Sequence, residues 1–419
     1  MVHPPPGTGS PLIPLPEMNP SSQPDTPSMR SQLAAITLTR VILNTMYRML
    51  YPFLAVFGRG LGVELSVMAF AITARSLVGV FSPLLAFLGD TRGRKAGMLL
   101  GLCAFTLGAS LVLIQPAFPA FFLALVLGMV GKYIFDPSLQ AYLGDRIPYA
   151  QRGRALGVVE LGWSLSFICG VPAMGFLIAR FGWRSPFPAL GLAGLAAIIS
   201  LTWLLPSDPR LPADQPGVWK NFQSLVANKA ALTGLFLGLL ISAANEVINL
   251  VFGVWMEDAY SLQIASLGAA AAVIGAAELG GESLTVALTD RLGKPRAVGL
   301  GILLNSLAAL SLPWLGRSLA GALFGLFLLY ITFEFTLVSS IPIMTELLPA
   351  ARATLMAANI SGISLGRATG AVLAPYLYQS GIAWNSLACF AFNLLALLVL
   401  LRLKKRMVAT PKSQTPPPA

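Results

Sequence analysis

Charged and polar side chains lie inside the long apolar segments of this chain, and their chemistry is the most informative feature of the sequence. They are Arg40, Asn44, Tyr47, Arg48, Arg75, Lys132, Asp136, Glu160, Asn245, Glu246, Glu278, Glu282, Glu334 and Arg367. A charged side chain at the centre of a bilayer costs about 2.5–3.5 kcal/mol on insertion scales. So many groups cannot all face lipid. We therefore expect them to face the interior of a helical bundle or a water-filled cavity, where they bind a substrate or a coupling ion.

The spacing of these residues predicts which of them meet. Arg40, Asn44 and Arg48 recur every fourth residue, which places them on one helical face. Lys132 and Asp136 stand one helical turn apart and can pair with each other. Such a pair has two interpretations that the sequence leaves open, a functional site or a static ion pair between helices.

Carboxylates dominate the second half of the chain. Glu246 lies near the middle of its apolar segment, beside two asparagines. Glu278 and Glu282 share a helical face and repel each other when both are ionised, so we expect at least one to take up a proton near neutral pH. A carboxylate of this kind suits proton coupling. A static pair with Arg367 or another cation is the alternative.

The two halves therefore differ in the sign of their buried charge. The first half contributes Arg40, Arg48, Arg75 and Lys132 against Asp136 and Glu160, and the second contributes Glu246, Glu278, Glu282 and Glu334 against Arg367. A cavity with a basic wall and an acidic wall would suit an amphiphilic or zwitterionic substrate. It would equally suit salt bridges that break and re-form across the cavity, and the sequence does not decide between these.

The sequence argues against several other kinds of chemistry. Its only histidine is His3, and its three cysteines all lie inside apolar segments. It contains no glycine-rich phosphate loop, no cluster with metal-ligand spacing and no nucleophile with a neighbouring base. We therefore expect no enzyme, no catalytic residue, no metal and no cofactor beyond a proton gradient.

The elements that carry these residues are long apolar segments. The chain is 56% hydrophobic and 11% charged, whereas a soluble domain carries about 25% charged residues. A spanning helix needs about 20 mostly apolar residues. Segments of that kind lie near 31–57, 65–88, 97–115, 120–143, 155–179, 186–205, 230–254, 264–288, 297–315, 320–344, 354–378 and 384–402. We predict an all-α integral membrane protein with twelve transmembrane helices.

The distribution of the net charge of +11 predicts the orientation in the membrane. Lys and Arg concentrate in the predicted inner loops and tails, and the predicted outer loops hold only Arg59, Arg180, Arg184 and Arg317. By the positive-inside rule both termini are cytoplasmic. We expect a multi-pass monomer of the plasma (inner) membrane whose partners are a small-molecule substrate and the lipid bilayer. Nucleic acid is not an expected partner.

Composition divides the chain into five parts. We predict a disordered Pro-rich cytoplasmic tail at 1–29, a six-helix bundle at 30–205, and a cytoplasmic linker at 206–229. A second six-helix bundle at 230–405 and a tail at 406–419 follow.

An internal repeat supports this division. Asp90, Gly93 and Arg94 recur 200 residues later as Asp290, Gly293 and Lys294. The same offset relates Arg152 to Arg352. It also relates Gly162, Ser164 and Gly170 to Gly362, Ser364 and Gly370. Two parallel six-helix repeats place a binding site between them, near the middle of the bilayer.

The repeated cluster resembles the signature of the major facilitator superfamily between its second and third helices, G-x-x-x-D-R-x-G-R-R/K. Ala86 stands where the first glycine is usual and Thr91 replaces the first arginine. The chain is similar to the family over residues 30–405. The resemblance implies two pseudo-symmetric six-helix bundles and a cytoplasmic gate. The candidate gating residues are Asp90, Gly93, Arg94, Arg152, Asp290, Arg291, Gly293, Lys294 and Arg352.

The stretch from Gly162 to Gly175, which contains Gly170-Val171-Pro172, loosely resembles the glycine-proline motif of the family's drug:proton antiporters. The leading hypothesis is an antiporter that exports small amphiphilic compounds, an efflux function driven by protons through alternating access. Uptake or exchange of a metabolite, organic anion or lysolipid by the same fold is one alternative. A receptor or structural membrane protein that does not transport is another.

Overall fold

The computed structural model describes residues 27–85, 93–206, 218–348 and 352–409, which form helices and turns without a strand. The helices of the first half are α1 (Met29–Arg48), α2 (Leu54–Leu61), α3 (Leu65–Leu77), α4 (Arg94–Ile114), α5 (Phe118–Arg146), α6 (Tyr149–Leu165), α7 (Val171–Phe181) and α8 (Pro186–Leu204). Those that follow are α9 (Val218–Ala227), α10 (Lys229–Asn249), α11 (Phe252–Tyr260), α12 (Ile264–Leu292), α13 (Lys294–Leu315), α14 (Leu319–Leu347), α15 (Arg352–Tyr378) and α16 (Ile382–Ala409). A 3-10 turn, Val78–Phe81, continues α3, and a π turn, Ser166–Gly170, joins α6 to α7.

The twelve-helix fold is confirmed. Ten helical spans in the described residues are long and apolar enough to cross a membrane. The remaining two crossings are α1 with α2, and α15, which carry buried polar side chains such as Arg40, Arg48 and Asn359. Large apolar side chains cover the outside of the bundle, and Trp203 is 81% exposed. Such a surface suits contact with lipid, which supplies no polar partner.

Two crossings that the sequence presents as continuous are broken. The predicted segment 31–57 is interrupted between α1 and α2, where Pro52 cannot donate the helical hydrogen bond. The predicted segment 230–254 is interrupted between α10 and α11, where no proline occurs. The two breaks pack against each other. A Cβ on Gly253 would lie 2.5 Å from the carbonyl oxygens of Tyr51 and Pro52, so only glycine allows this approach.

The ends of the helices differ slightly from the predicted boundaries. Ser28 caps α1, and its Oγ accepts a hydrogen bond from the backbone N–H of Ser31 at 3.2 Å. The last helix continues to Ala409, beyond the predicted bundle limit at 405. The predicted linker contains α9, and its residues 207–217 lie outside the described part of the chain, as do residues 1–26. The five-part division stays a prediction.

The two halves contact each other at one end of the bundle and also nearer its middle. We call the end where α1 begins the tail end, and the opposite end the far end. At the far end Arg59 forms an ion pair with Glu257 at 2.7 Å, and α7 packs on α12 where Gly268 lies against Pro172. Nearer the middle, α3 and its 3-10 turn pack along α15, and Ser361 donates a hydrogen bond to the carbonyl of Val80 at 3.0 Å.

Candidate substrate and coupling site

Five of the predicted site residues form one network of ion pairs and hydrogen bonds inside the first half. The Nη1 of Arg40 lies 2.8 Å from Glu160 Oε1, and its Nε lies 3.4 Å from Asp136 Oδ1. Lys132 Nζ donates to Asp136 Oδ2 at 2.6 Å and to Asn44 Oδ1 at 2.7 Å. The predicted pairing of Lys132 with Asp136 is therefore present. The two cations and two carboxylates balance, which favours the static interpretation of this network.

The ion pair that joins the two halves consists of Arg48 and Glu278. The Nη2 of Arg48 on α1 lies 2.5 Å from both carboxylate oxygens of Glu278 on α12, and each side chain is only 3% exposed. Its Nη1 donates to the carbonyl of Trp163 at 3.0 Å. The guanidinium carbon lies 3.5 Å from the ring centre of Phe167. Glu278 thus pairs with the first half, and not with Arg367 of its own half.

Two further arginines converge on Tyr47 from opposite halves. Arg75, which is 1% exposed, donates to the carbonyl of Tyr47 at 2.8 Å and to the hydroxyl of Tyr51 at 3.0 Å, and it lies 4.1 Å from the centre of the Tyr47 ring. Arg367 donates to the hydroxyl of Tyr47. Among the described residues neither arginine has a carboxylate within 4.0 Å. Their positive charge is balanced only at longer range.

A central cavity lies between the halves, with an empty volume of about 300 Å³ that is partly open to solvent. Its walls are formed by Tyr47, Arg48, Tyr51, Trp163, Phe167, Asn245, Glu246, Asn249, Glu278, Tyr330, Phe333 and Arg367. Both halves contribute aromatic rings and charges, as expected for a site between two repeats.

Glu246 and its asparagine neighbours form the acidic part of the cavity wall. The Oε2 of Glu246 accepts a hydrogen bond from Asn249 Nδ2 at 3.2 Å, and Asn249 Oδ1 accepts one from the hydroxyl of Tyr330 at 2.5 Å. Glu246 is 1% exposed and Asn245 is 6% exposed. Within the described chain, Glu246 Oε1 and Asn245 Oδ1 are buried without a hydrogen-bond partner.

Two more carboxylates lie beside Glu278. Glu282, half-buried, accepts a long hydrogen bond of 3.4 Å from Ser164. Glu334 is 6% exposed and lies on α14. This helix packs closely on α12 because Gly281 has no side chain. A Cβ on Gly281 would lie 2.7 Å from Glu334 Cβ. Glu278, Glu282 and Glu334 therefore lie on two helices that are in close contact. In the described part of the molecule only Glu278 among them has an ion-pair partner.

The gate residues repeat their backbone conformation in both halves. Gly93 precedes α4 with φ of +99°, and Gly293 precedes α13 with φ of +82°, a region that L side chains rarely adopt. Arg94 Nε lies 3.2 Å from Asp145 Oδ2, and at the equivalent place Lys294 forms an ion pair with Glu346. These contacts join helices within one half.

The remaining predicted gate residues show less about how the two copies of the cluster are held. Arg152 Nε donates to the carbonyl of Ile147 at 2.8 Å. Asp290 and Arg291 are exposed at the end of α12. Arg352 is the first residue of α15. Asp90 lies outside the described residues, so the predicted role of the first copy stays a prediction there.

Several residues of this region are absent from the sequence-based set. Tyr51 and Tyr330 each stand four residues from a predicted site residue, Tyr47 and Glu334, and that helical spacing could have identified them. Trp163 contributes its carbonyl and ring, and Phe167 its ring, for which no sequence signal exists. Asp145 and Glu346, the ion-pair partners of Arg94 and Lys294, lie near the ends of α5 and α14, each the second helix after its repeated cluster. Their separation of 201 residues is close to the offset of 200.

A bundle of membrane-crossing helices around a central charged cavity is the arrangement of a membrane transporter. Comparison with known sequences agrees with this class. The chain belongs to the Major Facilitator Superfamily, whose sequence profile matches residues 36–244 and again 234–419.

Individual relatives are distant but cover most of the chain. It is 24% identical over 341 residues to the uncharacterized MFS-type transporter YceJ of Bacillus subtilis, a match that covers 81% of this chain and 87% of that protein. It is 24% identical to the inner membrane transport protein YdhP of Escherichia coli, with coverage of 79% and 85%. A shorter match, 32% identical over 139 residues, links 33% of the chain to 34% of multidrug resistance protein 2 of Bacillus subtilis.

Solved structures share the fold. A bacterial homologue of the human lysosomal transporter Spinster, inward-facing and occupied, superposes with a TM-score of 0.73 at 13% identity and covers 93% of this chain and 99% of its own. The human organic anion transporter MFSD10 gives a TM-score of 0.64 at 18% identity, with coverage of 90% and 100%. At these identities the likeness shows the fold alone.

Proposed function

We propose that this membrane transporter exports small amphiphilic compounds in exchange for protons, by alternating access, with its tail end in the cytoplasm and its helices in the plasma membrane. The observation that carries the proposal is the ion pair between Arg48 and Glu278. It joins the two halves inside the cavity, and both side chains are almost completely buried. Local sequence similarity to a multidrug resistance protein also supports export of amphiphiles.

The pair couples protonation to the arrangement of the halves. A buried ion pair is stable only while both partners are charged, because a lone buried charge costs about 3–5 kcal/mol. Protonation of Glu278 would leave Arg48 in a dry site without its counter-charge. That penalty corresponds to a shift of about 10²- to 5 × 10³-fold in a conformational equilibrium. Proton binding would then favour a conformation in which Arg48 meets water or another partner.

Neighbouring carboxylates support a proton route to this pair. Glu282 lies one turn from Glu278 toward the tail end and is half-buried, whereas Glu278 itself is buried. Glu334 approaches from α14. Three carboxylates this close cannot all stay ionised at low cost. In this proposal Glu282 exchanges protons with the tail end and Glu278 and Glu334 hold them in the bundle.

Proton movement in proteoliposomes tests the proposal. The purified full chain is reconstituted with a pH-sensitive dye trapped inside, and ethidium, an anilinonaphthalene sulfonate and phenylalanine are added in turn. We expect at least one compound to drive proton movement beyond that in protein-free vesicles. The Glu278→Gln variant should abolish this movement, and the matched control Glu64→Gln, at an exposed carboxylate, should retain it. Proton movement that persists in Glu278→Gln, or that no compound elicits from the unsubstituted protein, refutes the proposal.

A further inference from the structure

The central cavity presents two buried acceptors without a hydrogen bond of normal geometry, although the hydroxyl of Tyr51 lies beside the Glu246 carboxylate. They are Glu246 Oε1 and Asn245 Oδ1, which line the same cavity and have no hydrogen-bond partner among the described residues. A buried acceptor without a donor costs about 1–3 kcal/mol. Most buried polar atoms are satisfied, so a neighbouring pair of exceptions at the cavity wall points to a ligand that donates hydrogen bonds.

The same cavity presents a positive charge without a carboxylate. Arg367 reaches the wall from α15 and donates to the hydroxyl of Tyr47. Arg75 lies behind the same ring, and its Nε is buried without a partner in the described chain. Arg48 differs, because Glu278 neutralises it. An anionic group that entered beside Arg367 would therefore meet a positive charge that no carboxylate contacts directly.

The aromatic walls do not favour a simple cation. Arg48 lies over the rings of Phe167 and Trp163, at 3.5 and 4.2 Å from the ring centres. Arg75 and Arg367 lie 4.1 and 5.7 Å from the centre of the Tyr47 ring. Cation–π attraction at these rings is thus already used by the protein's own guanidinium groups. A ligand with only positive charge would be repelled by them.

The charges of Arg48 and Glu278 neutralise each other. One further cation, Arg367, and one further carboxylate, Glu246, then remain on the cavity wall. We propose that the cavity binds its amphiphilic substrate as a zwitterion. The ammonium group donates to Glu246 Oε1 and Asn245 Oδ1, and the anionic group pairs with Arg367. The apolar part lies against the aromatic walls. This inference specifies the substrate class of the proposed transporter and rests on that function only in treating the cavity as the transport site.

Binding of a matched ligand series tests the charge requirement. Phenylalanine, phenethylamine and 3-phenylpropanoate share one skeleton and differ in which charge they carry, and 6-aminohexanoate, hexylamine and hexanoate repeat the comparison with a wider charge separation. Thermal stabilisation of the purified full chain gives each half-saturating concentration. We expect at least one zwitterion to bind about 10- to 100-fold more tightly than both of its single-charge analogues, since each lost charged hydrogen bond weakens binding by about that factor. If both zwitterions fail to bind, or if an analogue binds equally well, the inference is wrong.

Two variants assign the charges to the two sides of the cavity. In Glu246→Gln the affinity for the better zwitterion should fall to that of the anionic analogue or below it, and the anionic analogue itself should not bind more weakly, because the variant removes a negative charge from the same wall. In Arg367→Gln the affinity for the better zwitterion should fall to the affinity for the cationic analogue. Arg59→Gln, which removes an ion pair at the far end, is the matched control and should leave the ranking unchanged. The ranking in the unsubstituted protein and in Glu246→Gln decides the question even if Arg367→Gln does not fold.

Binding and proton movement separate the two proposals. If a zwitterion binds in the expected ranking but no compound moves protons, the transport proposal fails and the site assignment stands. If ethidium moves protons and binds better than the zwitterions, the zwitterion inference fails and the transport proposal stands.

Discussion

Removal of one partner of the buried ion pair should destabilise the protein far more than removal of both. Arg48 and Glu278 are each 3% exposed and lie 2.5 Å apart. A buried charge left alone costs about 3–5 kcal/mol, whereas two apolar residues of similar volume often replace a pair without loss. Arg48→Met should cost somewhat more than Glu278→Met, because it also loses the hydrogen bond to the carbonyl of Trp163, worth about 1 kcal/mol. The double variant should cost at least about 4 kcal/mol less than the sum of the singles.

A buried thiol provides the assay for this double-mutant cycle. Cys389 is buried, while Cys103 and Cys169 are exposed and can be replaced by alanine. Labelling of Cys389 by a thiol-reactive dye in mixtures of SDS and mild detergent then reports unfolding for the four proteins of the cycle. Additive single effects, within about 0.5 kcal/mol, would show that the two charges are not energetically coupled. That result would remove the physical basis for proton coupling through Glu278.

Two further substitutions test the packing and the gate with the same assay. Gly253→Val should destabilise the protein by at least about 1–3 kcal/mol, because the new side chain would overlap the carbonyl oxygens of Tyr51 and Pro52. The control is Gly144→Ala, at a position where a Cβ meets open space. Equal stability of the two variants would contradict the close contact at Gly253. Lys294→Met should change the free energy of unfolding by less than about 1 kcal/mol, because the ion pair of Lys294 with Glu346 is partly exposed to solvent. A loss of stability as large as that of Glu278→Met would contradict this expectation.

The sequence predicted the helices and the interior location of the charges well. The cost of charge in lipid is large enough that residues such as Arg75 and Glu246 have no low-energy alternative to the bundle interior, and both are 1% exposed. The offset of 200 predicted that Gly93 and Gly293 are equivalent. Both adopt positive φ before the next helix.

The partners of those charges could not be predicted, because they depend on how helices rotate and cross. Helical spacing identifies pairs on one helix, such as Lys132 with Asp136. It gives no information on a contact between residues 230 positions apart, such as Arg48 with Glu278. The break between α10 and α11 has no local proline signal. It lies where Gly253 packs closely against the break in the other half, a contact between halves that no local pattern reveals.

The internal repeat explains which contacts are shared by the halves and which are not. At the tail end, a cation after the glycine pairs with a carboxylate near the end of the second helix that follows it in both copies, so these repeated contacts lie within one half. In the cavity the two halves face each other, and an exact repeat would form the ion pair twice, once between positions 48 and 278 and once between positions 248 and 78. At the offset of 200, Ile248 stands in the place of Arg48 and Val78 in the place of Glu278. That divergence removes the second copy, so a single ion pair crosses the cavity, with its cation from the first half and its carboxylate from the second.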